Sequence, residues 1–230
     1  MPQRVPFRNR AHEVSRLEAF SDVVFGFALT LIVVSLEVPR TYQELMTAMR
    51  GFPAFALCFA VLIWIWHSHY TYFRRYGLHD EFTIWMNTFL LFLVLFYVYP
   101  LKFVFSSFAG HHGYGPHEAR VLFTIYGLGF AGIFFIYAML YSHALKKRDE
   151  LALNTVEQHD TQTHVMTFAG NVGVGVTSIV LALVLPDQYV GIAGYIYFTT
   201  GFVSWYLGAT RGSQRRALED AMELDATSAT

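Results

Sequence analysis

The chain has 230 residues, of which 54% are hydrophobic, 17% are aromatic and only 14% are charged. Soluble domains carry roughly a quarter charged residues, so this composition excludes an ordinary soluble globule and indicates an integral membrane protein. The near balance of 16 basic and 17 acidic residues argues against a nucleic-acid partner, and the one cysteine, Cys58, excludes an intrachain disulfide and a cysteine-based zinc site.

Six apolar segments are each about long enough to cross a hydrocarbon core, which takes roughly 20 residues. Because these segments are continuously apolar rather than alternating, they predict helices and not barrel strands. The sequence therefore predicts an all-α integral membrane protein with six transmembrane helices. In chain order the predicted spans are 17–38, 52–73, 82–101, 121–141, 165–185 and 189–209.

Lysine and arginine residues in the short connections predict the orientation of these spans. With a cytoplasmic N-terminus, twelve of them lie on the inner side of the membrane. The outer side then holds only Arg40, Arg50, Lys102 and Arg120. This positive-inside bias predicts that both termini are cytoplasmic.

We therefore expect three regions in a multi-pass protein of the cytoplasmic membrane. Residues 1–15 form a cytoplasmic N-terminal segment, residues 16–210 the six-helix transmembrane domain, and residues 211–230 a cytoplasmic tail. The part of the tail after Arg216 is short and acidic, and we expect it to be a solvated helix end. The first apolar run is too long for a cleavable signal peptide and lacks a small-residue cleavage pattern. The function must then reside in the membrane bundle.

The first span differs from the other five because it contains acidic residues. It reads RLEAFSDVVFGFALTLIVVSLE from Arg16 to Glu37. Ionisable side chains within a span usually face the bundle interior or water. At about 100° per residue, a helix turns Ser21 and Asp22 away from an apolar face that one hydroxyl interrupts. That face consists of Arg16, Phe20, Val23, Phe27, Thr30 and Val34, with Glu37 near its outer edge.

Two interpretations of this face remain open from the pattern alone. In the first, the face packs against lipid or core, and Thr30 donates to the carbonyl four residues earlier in its own helix. In the second, the face lines a pore, where Phe27 or Val34 forms a hydrophobic constriction and Thr30 offers a ring of oxygens. The direction of Asp22 favours a buried, hydrogen-bonded anchor.

The start of the first span resembles the signature R-x-x-x-F-S-D of the transmembrane protein 175 family, which are potassium channels of bacteria, archaea and animal lysosomes. A tryptophan and a histidine in the second span, and an asparagine and a closing proline in the third, resemble the family as well. The residues that carry the resemblance are Arg16, Phe20, Ser21, Asp22, Trp66, His69, Asn87 and Pro100.

This resemblance implies a homotetramer in the lipid bilayer that conducts potassium ions passively through a pore lined by the first helix. Phe27 corresponds to the hydrophobic constriction, and Thr30 to a hydroxyl layer near which the permeant potassium ion passes. The expected ion pathway and gate are Val23, Phe27, Thr30, Val34 and Glu37. The residues expected to anchor the pore helix are Arg16, Phe20, Ser21, Asp22, Trp66, His69 and Asn87.

The chain departs from the family pattern at two positions. Phe27 stands where members usually have Ile or Leu, and Gly26 stands where animal members have a small hydroxyl residue. No Thr-Val-Gly-Tyr-Gly sequence occurs, which excludes a carbonyl-cage filter. We therefore expect a modest preference for potassium over sodium, and no cofactor apart from the permeant ion.

Two other classes of membrane protein share single features with this sequence. A secondary transporter coupled to a proton or sodium gradient is the alternative, because the glycine-rich fifth span around Asn171 could be a discontinuous helix. The commoner role of such glycines is close helix packing, with Asn171 bonding across helices. A histidine-rich oxygenase is disfavoured because His67 and His69 are predicted at the inner membrane side, opposite His111, His112 and His117. Catalytic motifs are absent, so we expect no enzyme.

Overall fold

The computed structural model describes residues 6–11, 13–34, 40–108 and 115–228, which form helices without a β-strand. The all-α prediction is thereby confirmed. The helices in chain order are α1 (Arg16–Val34), α2 (Tyr42–Arg50), α3 (Phe52–Tyr76), α4 (Glu81–Phe108), α5 (Pro116–Lys146), α6 (Thr155–Val184), α7 (Ile192–Tyr195) and α8 (Thr199–Ser228), with 3-10 turns at Asp187–Tyr189 and Ile196–Phe198.

The six predicted spans correspond to α1, α3, α4, α5, α6 and the segment containing α7 and α8. Four helices of the described chain are long and apolar enough to cross a membrane, namely Phe52–Tyr76, Glu81–Phe103, His117–Lys146 and Thr155–Val184. The predicted start of the second span at residue 52 matches the start of α3. Helix α4 continues beyond Pro100, so this proline lies inside the helix and does not close it. The cytoplasmic placement of the termini stays a prediction.

Helix α2 lies between the first two spans, where the sequence pattern predicts no helix. Thr41 caps its start, since Glu44 N donates to Thr41 Oγ1 over 3.2 Å, and Arg40 N donates to Glu44 Oε2 over 2.7 Å. At nine residues it is too short to register as a span. The spacing Thr41-x-x-Glu44 is the signal that would have found it.

Helix α6 is continuous, so the broken helix expected for a transporter is wrong for the fifth span. A Cβ on Gly175 would lie 3.0 Å from the Cβ of Ala131, and a Cβ on Gly127 would lie 2.6 Å from Ile179 Cγ1. These glycines therefore let α5 and α6 approach closely. The expected cross-helix bond of Asn171 is wrong as well, because its buried amide has no hydrogen-bond partner among the described residues.

The last helix does not end at the membrane boundary predicted near residue 210. Helix α8 runs on to Ser228 without a break. Arg211 Nε donates to Thr163 Oγ1 over 2.8 Å, and Arg215 Nε donates to Asp160 Oδ1 over 3.0 Å. The first turns of the predicted tail therefore pack on α6, and the solvated end predicted after Arg216 stays a prediction.

Asp80 joins the start of α4 to the end of α5. Its Oδ1 accepts hydrogen bonds from the backbone N–H and the hydroxyl of Thr83, so Asp80 caps the start of α4. Its Oδ2 lies 2.5 Å from His143 Nε2 and 3.2 Å from Lys147 Nζ. Burial alone would raise the pKa of Asp80, but the hydrogen bonds from Thr83, His143 and Lys147 outweigh burial and hold that pKa well below its usual range.

We expect Asp80→Asn to destabilise the fold, because it removes charge-assisted bonds to two helices at a loss of about 1–3 kcal/mol. The ionised form is the stabilised one, so its contribution is present above the ordinary carboxyl pKa of about 4 and is lost as the pH falls. Melting temperatures in detergent should therefore differ between wild type and variant at pH 7, and the gap should narrow towards pH 3.

Asp149→Asn is the matched control for Asp80→Asn, because the side chain of Asp149 is 94% exposed at the same end of α5. We expect this control to have the same melting temperature as wild type at both pH values. Equal melting of Asp80→Asn and wild type at pH 7 would contradict the structural role of Asp80.

Candidate functional site

The start of α1 is fixed by a capping box that was not predicted from the sequence. Ser15 N donates to Glu18 Oε2 over 2.9 Å, and Glu18 N donates to Ser15 Oγ over 3.1 Å. Glu18 is buried. The spacing Ser-x-x-Glu ahead of an apolar run is the signal for this cap, and it accounts for the first acidic residue of the helix.

Helix α1 has one buried face and one bare face in the subunit. Phe20, Val23 and Phe27 are 61%, 56% and 64% exposed, and Thr30 is exposed beside them. The helical periodicity predicts this separation of faces. The opposite face is packed into the bundle and consists of Ser21, Phe25, Ala28 and Ile32.

Asp22 lies at the edge between the two faces of α1. Its carboxylate is exposed in the subunit and accepts a hydrogen bond from Trp66 Nε1 on α3 over 2.8 Å. Within the subunit Asp22 is hydrogen-bonded but not buried, since residue 22 turns about 80° further round the helix than Ile32. Its role as a buried anchor stays a prediction. The bond to Trp66 nevertheless attaches α1 to α3 at this level.

Behind α1, a chain of hydrogen bonds connects three buried polar side chains. Asn87 Nδ2 on α4 donates to Ser21 Oγ over 2.9 Å, and Ser21 Oγ donates to Leu17 O over 2.7 Å. His69 Nε2 on α3 lies 2.9 Å from Asn87 Oδ1. Because the amide nitrogen of Asn87 is used on Ser21, its oxygen accepts from His69. We call Ser21, His69 and Asn87 the polar relay.

Aromatic rings enclose the His69 end of the polar relay. The imidazole centroid lies 4.6 Å from the ring of Phe73 and 5.5 Å from the ring of Phe25. His69, Asn87 and Ser21 are each at most 2% exposed. The relay therefore joins α1, α3 and α4 inside an apolar core, where an unpaired polar group would be costly.

The other residues expected at the site are not brought to the relay. Arg16 and Phe20 lie exposed on α1, on the side of the bare face, and their anchoring role stays a prediction. The Val34 side chain and all of Glu37 lie outside the described residues. Val23, Phe27 and Thr30 thus make up the described part of the expected ion pathway.

The bare face offers no acid, base or nucleophile in the stretch from Val23 to Thr30. Thr30 Oγ1 donates its proton to Phe27 O over 2.8 Å, so the hydroxyl oxygen keeps its lone pairs for a cation or water. Within the described ranges, no three His, Cys, Asp or Glu residues are placed to hold a metal ion. His111 and His112 lie outside those ranges.

A sequence model of the endosomal/lysosomal potassium channel TMEM175 family matches residues 16–97 of this chain. That segment contains α1, α3 and the polar relay. A potassium channel of Marivirga tractuosa is 34% identical over 233 residues, covering 93% of this chain and 94% of the relative. A potassium channel of Chamaesiphon minutus is 26% identical over 188 residues, covering 78% of this chain and 89% of the relative.

Solved structures resemble the whole fold. A crystallised variant of the potassium channel MtTMEM175, in complex with a nanobody–MBP fusion protein, has a TM-score of 0.78 at 33% identity, covering 90% of this chain and 97% of that one. A lysosomal potassium-selective channel TMEM175 homolog from Chamaesiphon minutus shares the fold, with a TM-score of 0.60 at 22% identity over 87% of this chain.

The relatives found are potassium channels, so they do not favour the transporter alternative or an enzyme. The 34% identity extends over nearly the full length of both chains and is not confined to the signature. The chain is an integral membrane protein that belongs to the TMEM175 family of potassium channels.

Proposed function

We propose that the protein is a potassium-favouring cation channel of the cytoplasmic membrane, in which four copies place their α1 helices around a central pore. The observation that carries this proposal is the bare face of α1, which no other helix of the subunit covers at Val23, Phe27 and Thr30. A relative 34% identical over almost the whole chain is a potassium channel, which supports the same assignment.

In this proposal Phe27 forms the constriction. Four phenyl rings around a narrow axis expel water, because a small apolar passage favours the dewetted state. Thr30 lies about one turn away and presents an oxygen whose lone pairs partly replace the hydration of a potassium ion. Val23 and Val34 extend the apolar wall, and Glu37 raises the cation concentration at the outer mouth.

The polar relay and the Asp22–Trp66 bond have the role of anchors. The relay contacts the buried face of α1, and the Asp22–Trp66 bond lies at the edge of that face. Together they fix the rotation of the helix about its own axis. A rotation of α1 would break the Asn87–Ser21 bond and leave buried polar groups unpaired. The anchors thereby determine that Phe27 and Thr30 face the pathway.

Potassium efflux from liposomes that contain the purified protein tests the proposal, with sodium and caesium in parallel. We expect passive flux that is faster for potassium than for sodium and unaffected by a proton gradient. Uptake that requires a proton or sodium gradient would contradict a channel and support a secondary transporter.

We expect Phe27→Ala to raise the potassium flux, because a wider and less apolar constriction lowers the barrier to wetting. A rise of about tenfold corresponds to a barrier lowered by ~1.4 kcal/mol. Phe135→Ala is the control, since Phe135 is 54% exposed on α5, away from the pathway. Equal flux for Phe27→Ala and wild type, with the assembly intact, would remove Phe27 from the gate.

We expect Asn87→Ala to destabilise the protein by about 1–3 kcal/mol, because the buried groups of Ser21 and His69 each lose a partner. Thermal unfolding in detergent measures this loss as a lower melting temperature. Thr88→Ala is the matched control, since the exposed hydroxyl of Thr88 bonds only the carbonyl of Ile84 in its own helix. An unchanged melting temperature for Asn87→Ala would contradict the relay as an anchor.

A further inference from the structure

The segment that precedes α1 is bound to the bundle and is not a free tail. We call residues 6–11 and 13–15 the N-terminal strap. The backbone N–H groups of Arg10 and Ala11 both donate to Arg74 O at the end of α3, over 3.2 and 3.4 Å. The ring of Phe7 packs edge-on against the ring of Tyr76, with 5.6 Å between the centroids. The guanidinium of Arg75 lies 4.7 Å from the centroid of the Phe7 ring.

Glu157 in the first turn of α6 holds the strap by its charge. Its side chain is 2% exposed and forms ion pairs with Arg8 at 3.2 Å and Arg10 at 2.7 Å. The backbone N–H of Arg8 donates to the same carboxylate over 3.0 Å. One buried carboxylate is thus shared by two guanidinium groups, and its removal would leave both without their anion.

The two arginines also reach the connection between α5 and α6. Arg8 donates to Ala152 O over 2.5 Å, and Arg10 Nε donates to Leu151 O over 2.8 Å. Arg10 donates further to Arg75 O over 3.4 Å. The strap therefore joins α3, α6 and the α5–α6 connection at one point.

The strap is a link between α1 and the C-terminal half of the bundle. Helix α1 itself packs principally on α3 and α4. Along the chain, Arg10 pairs with Glu157 and Ser15 caps α1, so the two contacts are only a few residues apart. The ion pairs of Glu157 therefore connect the start of α6 to the segment that leads into α1.

We propose that Glu157 is a positioning residue for ion conduction, because its ion pairs with Arg8 and Arg10 hold the strap and so restrain the end of the pore helix. This inference rests on the proposed function, since it assumes that α1 lines the pore. Release of the strap lets α1 sample more orientations, so the constriction wets more often and the potassium flux rises.

Glu157→Gln tests this inference in the liposome flux assay, because it removes the charge and keeps the shape of the side chain. We expect the flux per assembled channel to rise about fivefold or more, the range of a typical coupling between distant sites. Asp160→Asn is the matched control: it removes a carboxylate one turn along α6 that pairs with Arg215 of α8, not with the strap. We expect wild-type flux from it.

Glu157 also caps α6 by accepting from Asn154 N over 3.1 Å, so a second control separates capping from charge. Asn154→Ala weakens the cap and leaves the ion pairs with Arg8 and Arg10 in place. We expect near wild-type flux from Asn154→Ala. Flux that rises equally in Asn154→Ala and Glu157→Gln would assign the effect to the cap and overturn the inference.

Hydrogen exchange of the backbone amides provides a readout that does not depend on conduction. We expect faster exchange at Arg8, Arg10 and Ala11 in Glu157→Gln, with unchanged protection of the α6 interior, which shows that the fold is intact. The double variant Arg8→Gln/Arg10→Gln should match Glu157→Gln in both exchange and flux, and combining all three substitutions should add nothing.

The two proposals fail in different ways. An absence of passive potassium flux from liposomes that contain the wild-type protein would contradict the proposed function. This holds whatever the rate of hydrogen exchange in the strap. A conducting wild type together with unchanged or lower flux in a folded Glu157→Gln would overturn only the role of Glu157. Unchanged exchange of the strap in that variant would overturn it as well.

Discussion

The buried hydrogen bonds that join Ser21, Asn87 and His69 are the constraint on which the arrangement of the first helix depends. Each partner uses its polar atoms on the next, so none can turn away without leaving an unpaired group in an apolar core. This requirement fixes the rotation of α1 about its own axis. With Ser21 turned towards Asn87, Phe27 and Thr30 lie on the opposite, bare face.

Two carboxylates connect the helices at the ends of the bundle in a similar manner. Asp80 ties the start of α4 to the end of α5, and Glu157 ties the strap to the start of α6. Both carboxylates are surrounded by donors, and Glu157 is nearly inaccessible to solvent. Helix α1 is thus held at its buried face by neutral hydrogen bonds, and the segment before α1 is held by charge. In our proposal these restraints determine whether the apolar constriction conducts.

Much of this arrangement could be predicted from sequence, because long apolar runs and helical periodicity report directly on burial. The span positions and the opposite directions of Ser21 and Phe27 follow from that pattern. The exposed position of Asp22 did not, since its bond to Trp66 depends on how α1 and α3 cross. Close packing of α6 through its glycines was the favoured interpretation of the sequence. The Glu157 ion pairs escaped prediction, because they join residues 149 positions apart.

The most direct measurement of the central claim is the accessibility of Thr30→Cys to a charged, water-soluble thiol reagent during potassium flux. Native Cys58 is buried, so wild type serves as the unreactive background. If the bare face of α1 lines the pathway, the reagent should block the flux of Thr30→Cys and leave wild type unaffected, and permeant potassium should slow the reaction. A cysteine at position 30 that conducts normally and reacts only with membrane-soluble reagents would show that this face contacts lipid, which contradicts the proposed pore.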